Sequence, residues 1–212
     1  MTIWSISAHT PEADVVRDAV SVLRGGGVIA FPTSTLYGLG ADATNPAAIQ
    51  RIYLIKSRSP KQPILILIRD KAVLQPFVQK IPPTAAVLMD ALWPGGITLV
   101  FKASPKISPD LMGDSGKIGI RVPKHPVAAA LVSELNGPLT GTSANLSGRP
   151  GCADVANLDA EVAGQLDGAL DAGPLKGGRG STVIDVTVEP PQILRQGTIS
   201  KKHIDSVLGS SI

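Results

Sequence analysis

An α/β fold on a mixed sheet is what this sequence predicts, and three observations point to it. Short β-branched or leucine runs such as Ile64–Ile68 and Ile97–Phe101 recur between stretches whose apolar residues have helical spacing. The two kinds of segment alternate without a clean βαβ period, so parallel and antiparallel pairs are both expected. No internal repeat or linker-like run divides the 212 residues, so residues 1–212 are expected to form one domain.

Taken in order, Pro11–Arg24 predicts a first helix, with Ala13, Val16, Ala19, Val20 and Leu23 on one face and Gly25-Gly26-Gly27 ending it. Val28–Phe31 reads as a buried strand stopped by Pro32. Thr33, Ser34, Thr35 and Tyr37 then crowd hydroxyls into a turn, where Gly38 and Gly40 allow tight turning or close approach to a ligand. Asn45-Pro46 is an N-cap with proline at the first helical position. The helix it opens carries Ile49, Ile52, Tyr53 and Ile55 and ends in Lys56 and Arg58. Ile64–Ile68 is a buried strand, and Pro82-Pro83 opens a helix that ends before Trp93-Pro94-Gly95-Gly96. Ile97–Phe101 is a strand, 103–117 a polar surface loop, and Lys117–Val122 a strand carrying Arg121 near its end. A helix over Pro126–Leu135 and a short strand over Pro138–Gly141 lead into a second polar turn, Thr142–Gly148. Residues 154–166 are weakly helical and 168–171 a short strand. The glycine-rich stretch 173–180 carries Lys176 and Arg179, either a solvated loop or a mobile lid. Strands at Ser181–Val186 and Gln192–Arg195 and a helix at Ser200–Leu208 close the chain.

Composition narrows the function. Hydrophobic residues make up 43%, enough for a core, and no apolar run approaches the ~20 residues of a membrane span. The N-terminus has no basic flank and apolar run of the signal-peptide kind, so a soluble cytoplasmic protein is expected. The single cysteine, Cys152, excludes an internal disulfide and a cysteine metal cluster. Net charge is only +3, yet residues 51–71 hold Arg51, Lys56, Arg58, Lys61, Arg69 and Lys71 against Asp70, a local +5. That run fits either an anionic ligand, nucleotide or RNA, or a solvated face. Aromatic content of 3% argues against a base-stacking surface.

Several chemistries can be set aside. Gly116-Lys117 is followed by Ile118, so no Walker loop is present. Gly38-Leu39-Gly40-Ala41-Asp42-Ala43 matches the dinucleotide fingerprint, but its glycines are out of register with the helix start and no acid follows about twenty residues on. His9, His125 and His203 lie far apart and lack metal-ligand spacing. Ser143 and Ser147 lie outside Gly-x-Ser-x-Gly and have no evident base. What remains is hydroxyl- and amide-rich turns with cations at Lys56, Arg58, Arg121, Lys176, Arg179 and Arg195. That inventory suits phosphoryl or nucleotidyl chemistry, in which a protein mainly positions and neutralises.

Seven collinear segments resemble the YrdC/Sua5 family of threonylcarbamoyl-AMP synthases: 32–40 (PTSTLYGLG), 56–58 (KSR), 93–98 (WPGGIT), 120–126 (IRVPKHP), 142–148 (TSANLSG), 180–185 (GSTVID) and 194–197 (LRQG). The related YciO branch lacks the Lys-x-Arg and Ser-x-Asn combination, present here as Lys56, Arg58, Ser143 and Asn145. The resemblance is to the short YrdC/TsaC type, without the extra C-terminal domain of longer Sua5 members.

The resemblance implies a twisted mixed sheet flanked by helices around a large positive cavity. It implies an L-threonylcarbamoyladenylate synthase, a nucleotidyltransferase that uses L-threonine, bicarbonate or CO2, and ATP to supply tRNA N6-threonylcarbamoyladenosine formation at position 37. By that analogy Lys56, Arg58, Ser143 and Asn145 are the catalytic set, and with Ser181 and Arg195 they hold the triphosphate. Thr33, Thr35, Tyr37, Arg121 and Ser181 shape the threonine and bicarbonate side, with Arg121 on the amino-acid carboxylate. The expected cofactor is Mg2+, brought by ATP rather than held by protein ligands. Expected partners are the substrates and a downstream tRNA-modifying threonylcarbamoyl transferase complex. Ser34, Gln62, Gly96 and Gly180 depart from the family's usual residues. The rival expectation is a non-catalytic domain that grips double-stranded RNA or tRNA by backbone charge.

Overall fold

The computed structural model describes residues 1–209; the last three residues of the expected 1–212 domain lie outside them. Strand β1 (Thr2–Ser5) precedes helix α1 (Ala13–Arg24), β2 (Ile29–Pro32), β3 (Tyr37–Gly40), α2 (Pro46–Ile55) and β4 (Leu65–Leu67). Then come α3 (Pro83–Leu92), β5 (Ile97–Lys102), α4 (Pro109–Met112), β6 (Lys117–Arg121), α5 (Pro126–Leu135) and β7 (Leu139–Ser143). The last elements are α6 (Ala160–Ala163), β8 (Gly168–Asp171), β9 (Thr182–Asp185), β10 (Gln192–Arg195) and α7 (Lys201–Leu208).

The strands form one mixed ten-stranded sheet in the order β1-β8-β2-β3-β7-β4-β6-β5-β9-β10. Strand β8 runs parallel to β1 and β2, and β4–β6 and β5–β9 are also parallel. The β2–β3, β3–β7, β4–β7, β5–β6 and β9–β10 pairs are antiparallel. Side-chain alternation along the strands feeds two apolar clusters. Ile29 and Phe31 pack with Val16 and Leu23 of α1 and Leu131 of α5. Val28 and Ala30 join the larger cluster, which includes Ile52 of α2, Leu88 of α3 and Ile204 of α7.

Four local expectations change. Strand β1 is absent from the sequence reading because four mostly exposed edge residues carry almost no burial pattern. The stretch 37–40 is a strand, not a turn, and its glycines seat an aromatic ring: a Cβ on Gly38 or Gly40 would lie 3.2 or 3.0 Å from Phe31. The loop expected over 103–117 contains α4 and a 3-10 turn at Gly113–Ser115. The polar turn expected at 142 begins later, because β7 runs through Ser143.

Helix α2 starts as expected, with Asn45 Oδ1 accepting from the Ala47 and Ala48 amides ahead of Pro46. Its end is less ordinary. Ser57 sits at φ 47°, a left-handed conformation that favours glycine. Ser57 N donates to Leu54 O and Arg58 N to Tyr53 O, the paired bonds of a Schellman stop. That reversal turns the chain sharply between Lys56 and Arg58.

The edge carrying β9 and β10 is fastened by contacts around Gly197. Thr182 Oγ1 donates to Ile199 O and accepts from the Gly197 and Ile199 amides. A Cβ on Gly197 would meet Gly180 O and Ser181 C at 2.3 Å, both backbone atoms that cannot yield cheaply. Gly197→Ala is therefore expected to destabilise the fold by about 2 kcal/mol or more, read as a lower urea midpoint. An unchanged midpoint would show that this edge is loose.

Candidate active site

Beyond α5, the sheet face it shares stays open and floors a cavity of about 410 Å³. Alternate residues of the central strands point into it: Leu65 and Leu67 from β4, Thr98 and Val100 from β5, Lys117, Gly119 and Arg121 from β6, Gly141 and Ser143 from β7. Thr33, Thr35 and Tyr37 approach from the β2–β3 hairpin, Arg58 from the end of α2, and Ser181 and Arg195 from the β9 edge. Among the described residues no aspartate or glutamate lines the cavity.

The cations divide into committed and uncommitted groups. Lys117 also lines the cavity but pairs with Asp185 at 2.7 Å. Burial works against the Asp185 charge, yet bonds from Lys117 and Thr187 hold its carboxyl below the usual range. Among the described residues Arg58, Arg121 and Arg195 have no acidic partner. Arg121 Nε donates to Gly95 O at 2.6 Å. Burial, then Arg195, push its guanidinium down to about 10, which leaves it charged at neutral pH. Arg58 donates to Pro63 O at 2.8 Å while its Nε is buried without a partner. Burial also lowers Arg58, against a raising contribution from Tyr53, and Arg195 lowers it further.

Lys56 and Asn145 do not line the cavity; they lie behind Ser143. Lys56 is 2% exposed. Its ammonium donates to Ser143 O at 2.5 Å, Asn145 O at 2.7 Å and Asn145 Oδ1 at 3.3 Å, which uses all three protons. Asn145 Nδ2 donates to Leu146 O and Arg149 O, and Ser147 N donates to Lys56 O. The Lys-x-Arg and Ser-x-Asn segments therefore act as a lock. It fixes the 143–149 turn and leaves the Ser143 hydroxyl and the Arg58 guanidinium facing the cavity.

Other expected residues are placed with similar clarity. The buried Tyr37 hydroxyl donates to Gly173 O at 2.8 Å and accepts from Ala172 N, and burial raises it to about 12. Its phenol ties the β2–β3 hairpin to the segment after β8. Thr33 Oγ1 donates to Leu36 O within its own turn, while among the described residues the Thr35 hydroxyl has no partner. Arg195 donates to Ser181 O and to Ser181 Oγ. Ser34, Gln62, Lys176 and Arg179 are exposed and do not line the cavity. A Cβ on Gly96 would lie 2.3 Å from Thr198 Oγ1, so a side chain there would have to turn that hydroxyl away from Gly96 O. Thr98 and His125 line the cavity and escaped the sequence reading, although both lie inside segments it singled out.

The family model for Sua5/YciO/YrdC, described as "Telomere recombination", matches residues 21–197. The chain belongs to that family. A threonylcarbamoyl-AMP synthase of Bacillus subtilis is 36% identical over 205 residues, covering 96% of this chain and 58% of the relative. One of Coxiella burnetii is 38% identical over 160 residues, covering 76% of this chain and 86% of the relative. A structure of Pyrococcus abyssi Sua5 complexed with L-threonine superposes with TM-score 0.95 at 32% identity, covering 100% of this chain and 62% of that one. The chain thus spans less than two thirds of the B. subtilis and P. abyssi proteins. The expected mixed, helix-flanked family fold is the fold observed.

Burial, then the neighbouring Arg58, push the Lys56 ammonium from 10.5 down to about 8. Between those values an unfolded chain keeps a proton that the folded chain releases. Stability from this group therefore rises with pH across that window, and its penalty is complete below about pH 8. Function should move the other way, because a neutral amine has two donors for three acceptors. Affinity for pyrophosphate as a probe anion is expected to fall above a midpoint near pH 8 while circular dichroism stays unchanged. Affinity that is flat to about pH 10 would remove the lock.

Proposed function

We propose that this chain is an L-threonylcarbamoyladenylate synthase, a nucleotidyltransferase joining L-threonine, bicarbonate or CO2, and ATP into threonylcarbamoyl-AMP and pyrophosphate. The product would pass to a threonylcarbamoyl transferase complex that modifies position 37 of tRNA. The observation that carries this reading is the set of three guanidiniums, Arg58, Arg121 and Arg195, converging on one cavity where, among the described residues, they meet no acidic partner and no aspartate or glutamate lines the wall. Such an arrangement is built for a ligand that brings several negative charges.

The chemistry follows from that need. Threonine amine and CO2 form a carbamate unaided, and the carbamate survives only in a closed site. One of its oxygens attacks the α-phosphorus of ATP, the bond to the β-phosphate oxygen breaks, and pyrophosphate leaves with the electron pair. Two anions must approach, so the protein's task is to offset their repulsion and fix the line of attack. Arg58, Arg195 and the Ser143 and Ser181 hydroxyls hold the triphosphate, with Lys56 and Asn145 setting Ser143 from behind. Arg121, Thr33 and Thr35 serve the threonine and bicarbonate side, and Tyr37 fixes the hairpin that carries those threonines.

Among the described residues no group of three or more His, Cys, Asp or Glu is placed to hold a metal. A Mg2+ would arrive with the triphosphate, beside Arg58, Arg195, Ser143 and Ser181 rather than on protein carboxylates, and would supply charge neutralisation there. The rival RNA-gripping domain would need its cations spread over the surface. Of the basic run 51–71, Arg51, Lys61, Arg69 and Lys71 each meet an acid, and the unpaired Arg58, like Arg121, is half-buried toward the cavity, which favours a ligand held there over a duplex gripped by this run. Among the described residues no helix is long and apolar enough to cross a membrane.

The protein with ATP, Mg2+, labelled bicarbonate and L-threonine is expected to yield an adenylate by mass spectrometry, with pyrophosphate release requiring both co-substrates. Release without threonine or without bicarbonate would overturn the reading. Arg58→Ala is expected to lower turnover about 100-fold or more while remaining folded. Arg121→Ala is expected to raise the threonine requirement about tenfold or more. Wild-type rates in the first, or wild-type threonine affinity in the second, would remove that residue's role.

A further inference from the structure

Helix starts favour Ser, Thr, Asp or Asn, but α5 starts with a histidine that also lines the cavity. His125 precedes Pro126, and its Nδ1 accepts from the Val127 amide at 3.3 Å. A backbone amide can only donate, so the direction of this bond is fixed. Nδ1 carries no proton, and the proton of the neutral ring sits on Nε2. Protonating Nδ1 would set two N–H groups against each other and cost the helix its cap. Burial, then His9 from the segment between β1 and α1, lower the His125 imidazole below its ordinary value, which favours the same neutral form.

The other edge of the ring is left over. Among the described residues Nε2 has no hydrogen-bond partner. It is also not sealed in: the buried side-chain atoms without a partner are Arg58 Nε and Thr84 Oγ1. An N–H that is neither bonded nor sealed is within reach of a ligand, and His125 is a half-buried residue of the cavity wall. It follows Arg121 by four residues across Pro123, which lines the cavity as well. Helix α5 shares its apolar cluster with Phe31, two residues before Thr33. His125 thus stands on the side of the cavity given to the amino acid. Beside Arg121 a further cation would add to the cost of burying charge, whereas a neutral N–H polarises an oxygen without that cost.

We propose that His125 is a substrate-binding residue, held by its own helix in the neutral Nε2–H form, that donates to an oxygen of the amino-acid substrate. It is not a proton shuttle, because the doubly protonated ring is the form the cap excludes. The inference rests on the synthase reading for its ligand, and on the cap geometry for the tautomer.

Asn and Gln divide the ring between them: Asn carries its amide near the place of Nδ1, and Gln near that of Nε2. His125→Asn is expected to keep the cap, and with it the wild-type melting temperature to within a few degrees, yet to bind L-threonine about tenfold more weakly by calorimetry. His125→Gln should do the reverse, melting several degrees lower while its L-threonine affinity stays within about threefold of wild type. Pyrophosphate affinity should stay within about twofold of wild type in both. A residue that only caps the helix would make L-threonine affinity follow the melting temperature. That pattern, wild-type L-threonine affinity in His125→Asn, or an equal loss for pyrophosphate overturns the proposal. So does a protonated Nδ1 on His125 at neutral pH, read by nitrogen NMR of the wild type with isotope-labelled histidine, where no variant has to fold. Binding is read without turnover, so a wild type that binds L-threonine yet makes no adenylate sinks the synthase reading while the Asn and Gln comparison still decides His125. One that binds no L-threonine sinks both.

Discussion

The site depends on one buried ammonium. A lysine at 2% exposure is tolerated only when its charge is well solvated by protein, and Lys56 meets three carbonyl oxygens that serve that purpose. Those oxygens belong to Ser143 and Asn145, so burying the charge and shaping the turn are the same event. The turn in exchange holds the end of α2, through Ser147 N donating to Lys56 O. Ser57 in its left-handed conformation then decides that two cations so close in sequence face opposite ways. One goes inward to the lock and the other toward the cavity.

This division extends to the whole charge pattern. Residues 51–71 look uniformly basic in sequence, yet Arg51, Lys61, Arg69 and Lys71 are each matched by an acid near the surface. Exposed pairs of that kind contribute about 0–1 kcal/mol each, so they neutralise more than they stabilise. Within that run, among the described residues, only Lys56 and Arg58 have no acidic partner: Lys56 is held by carbonyl oxygens and Arg58 lines the cavity. Arg58 and Arg121 both titrate lower than usual because burial disfavours their charge. A negatively charged ligand beside them would offset that cost. Natural proteins break local rules of this kind where function demands it.

How much of this was legible follows from the range of the forces involved. The helices of α1, α2 and α5 announce themselves because spacing and caps are local, and Asn45-Pro46 behaves as its chemistry requires. The strand over 37–40 was hidden because Gly38 and Gly40 accommodate the ring of Phe31, several residues away, and a ring overhead leaves no local trace; Gly38 does line the cavity, as close approach to a ligand would require. At the site, sequence singled out Arg58, Arg121, Ser143, Ser181 and Arg195, and the fold brings all five to one cavity. It could not show that Lys56, Asn145 and the Tyr37 phenol face protein atoms instead, because that depends on carbonyls supplied by distant turns. Thr98 was hidden for the same reason: a threonine in a buried strand reads as packing until Ser181 stands beside it.

The sheet also explains why such a site can be accurate. Arg121, Ser143 and Arg195 each occupy the last position of a strand, and Ser181 directly precedes one. Their separations are therefore set by ladder hydrogen bonds rather than by loops. Gly119 and Gly141 keep the floor between them low; a Cβ on Gly141 would approach Leu65 to 2.7 Å. Charge repulsion between two reacting anions rises steeply as they close, so donors must wait at fixed points rather than move with the ligand. Arg58 at the end of α2, the segment carrying Thr33 and Thr35, and the glycine-rich 173–180 stretch lie outside that frame, the last two joined by Gly177 N donating to Thr35 O. Adjustment has room there without disturbing the strands that carry Arg121, Ser143 and Arg195.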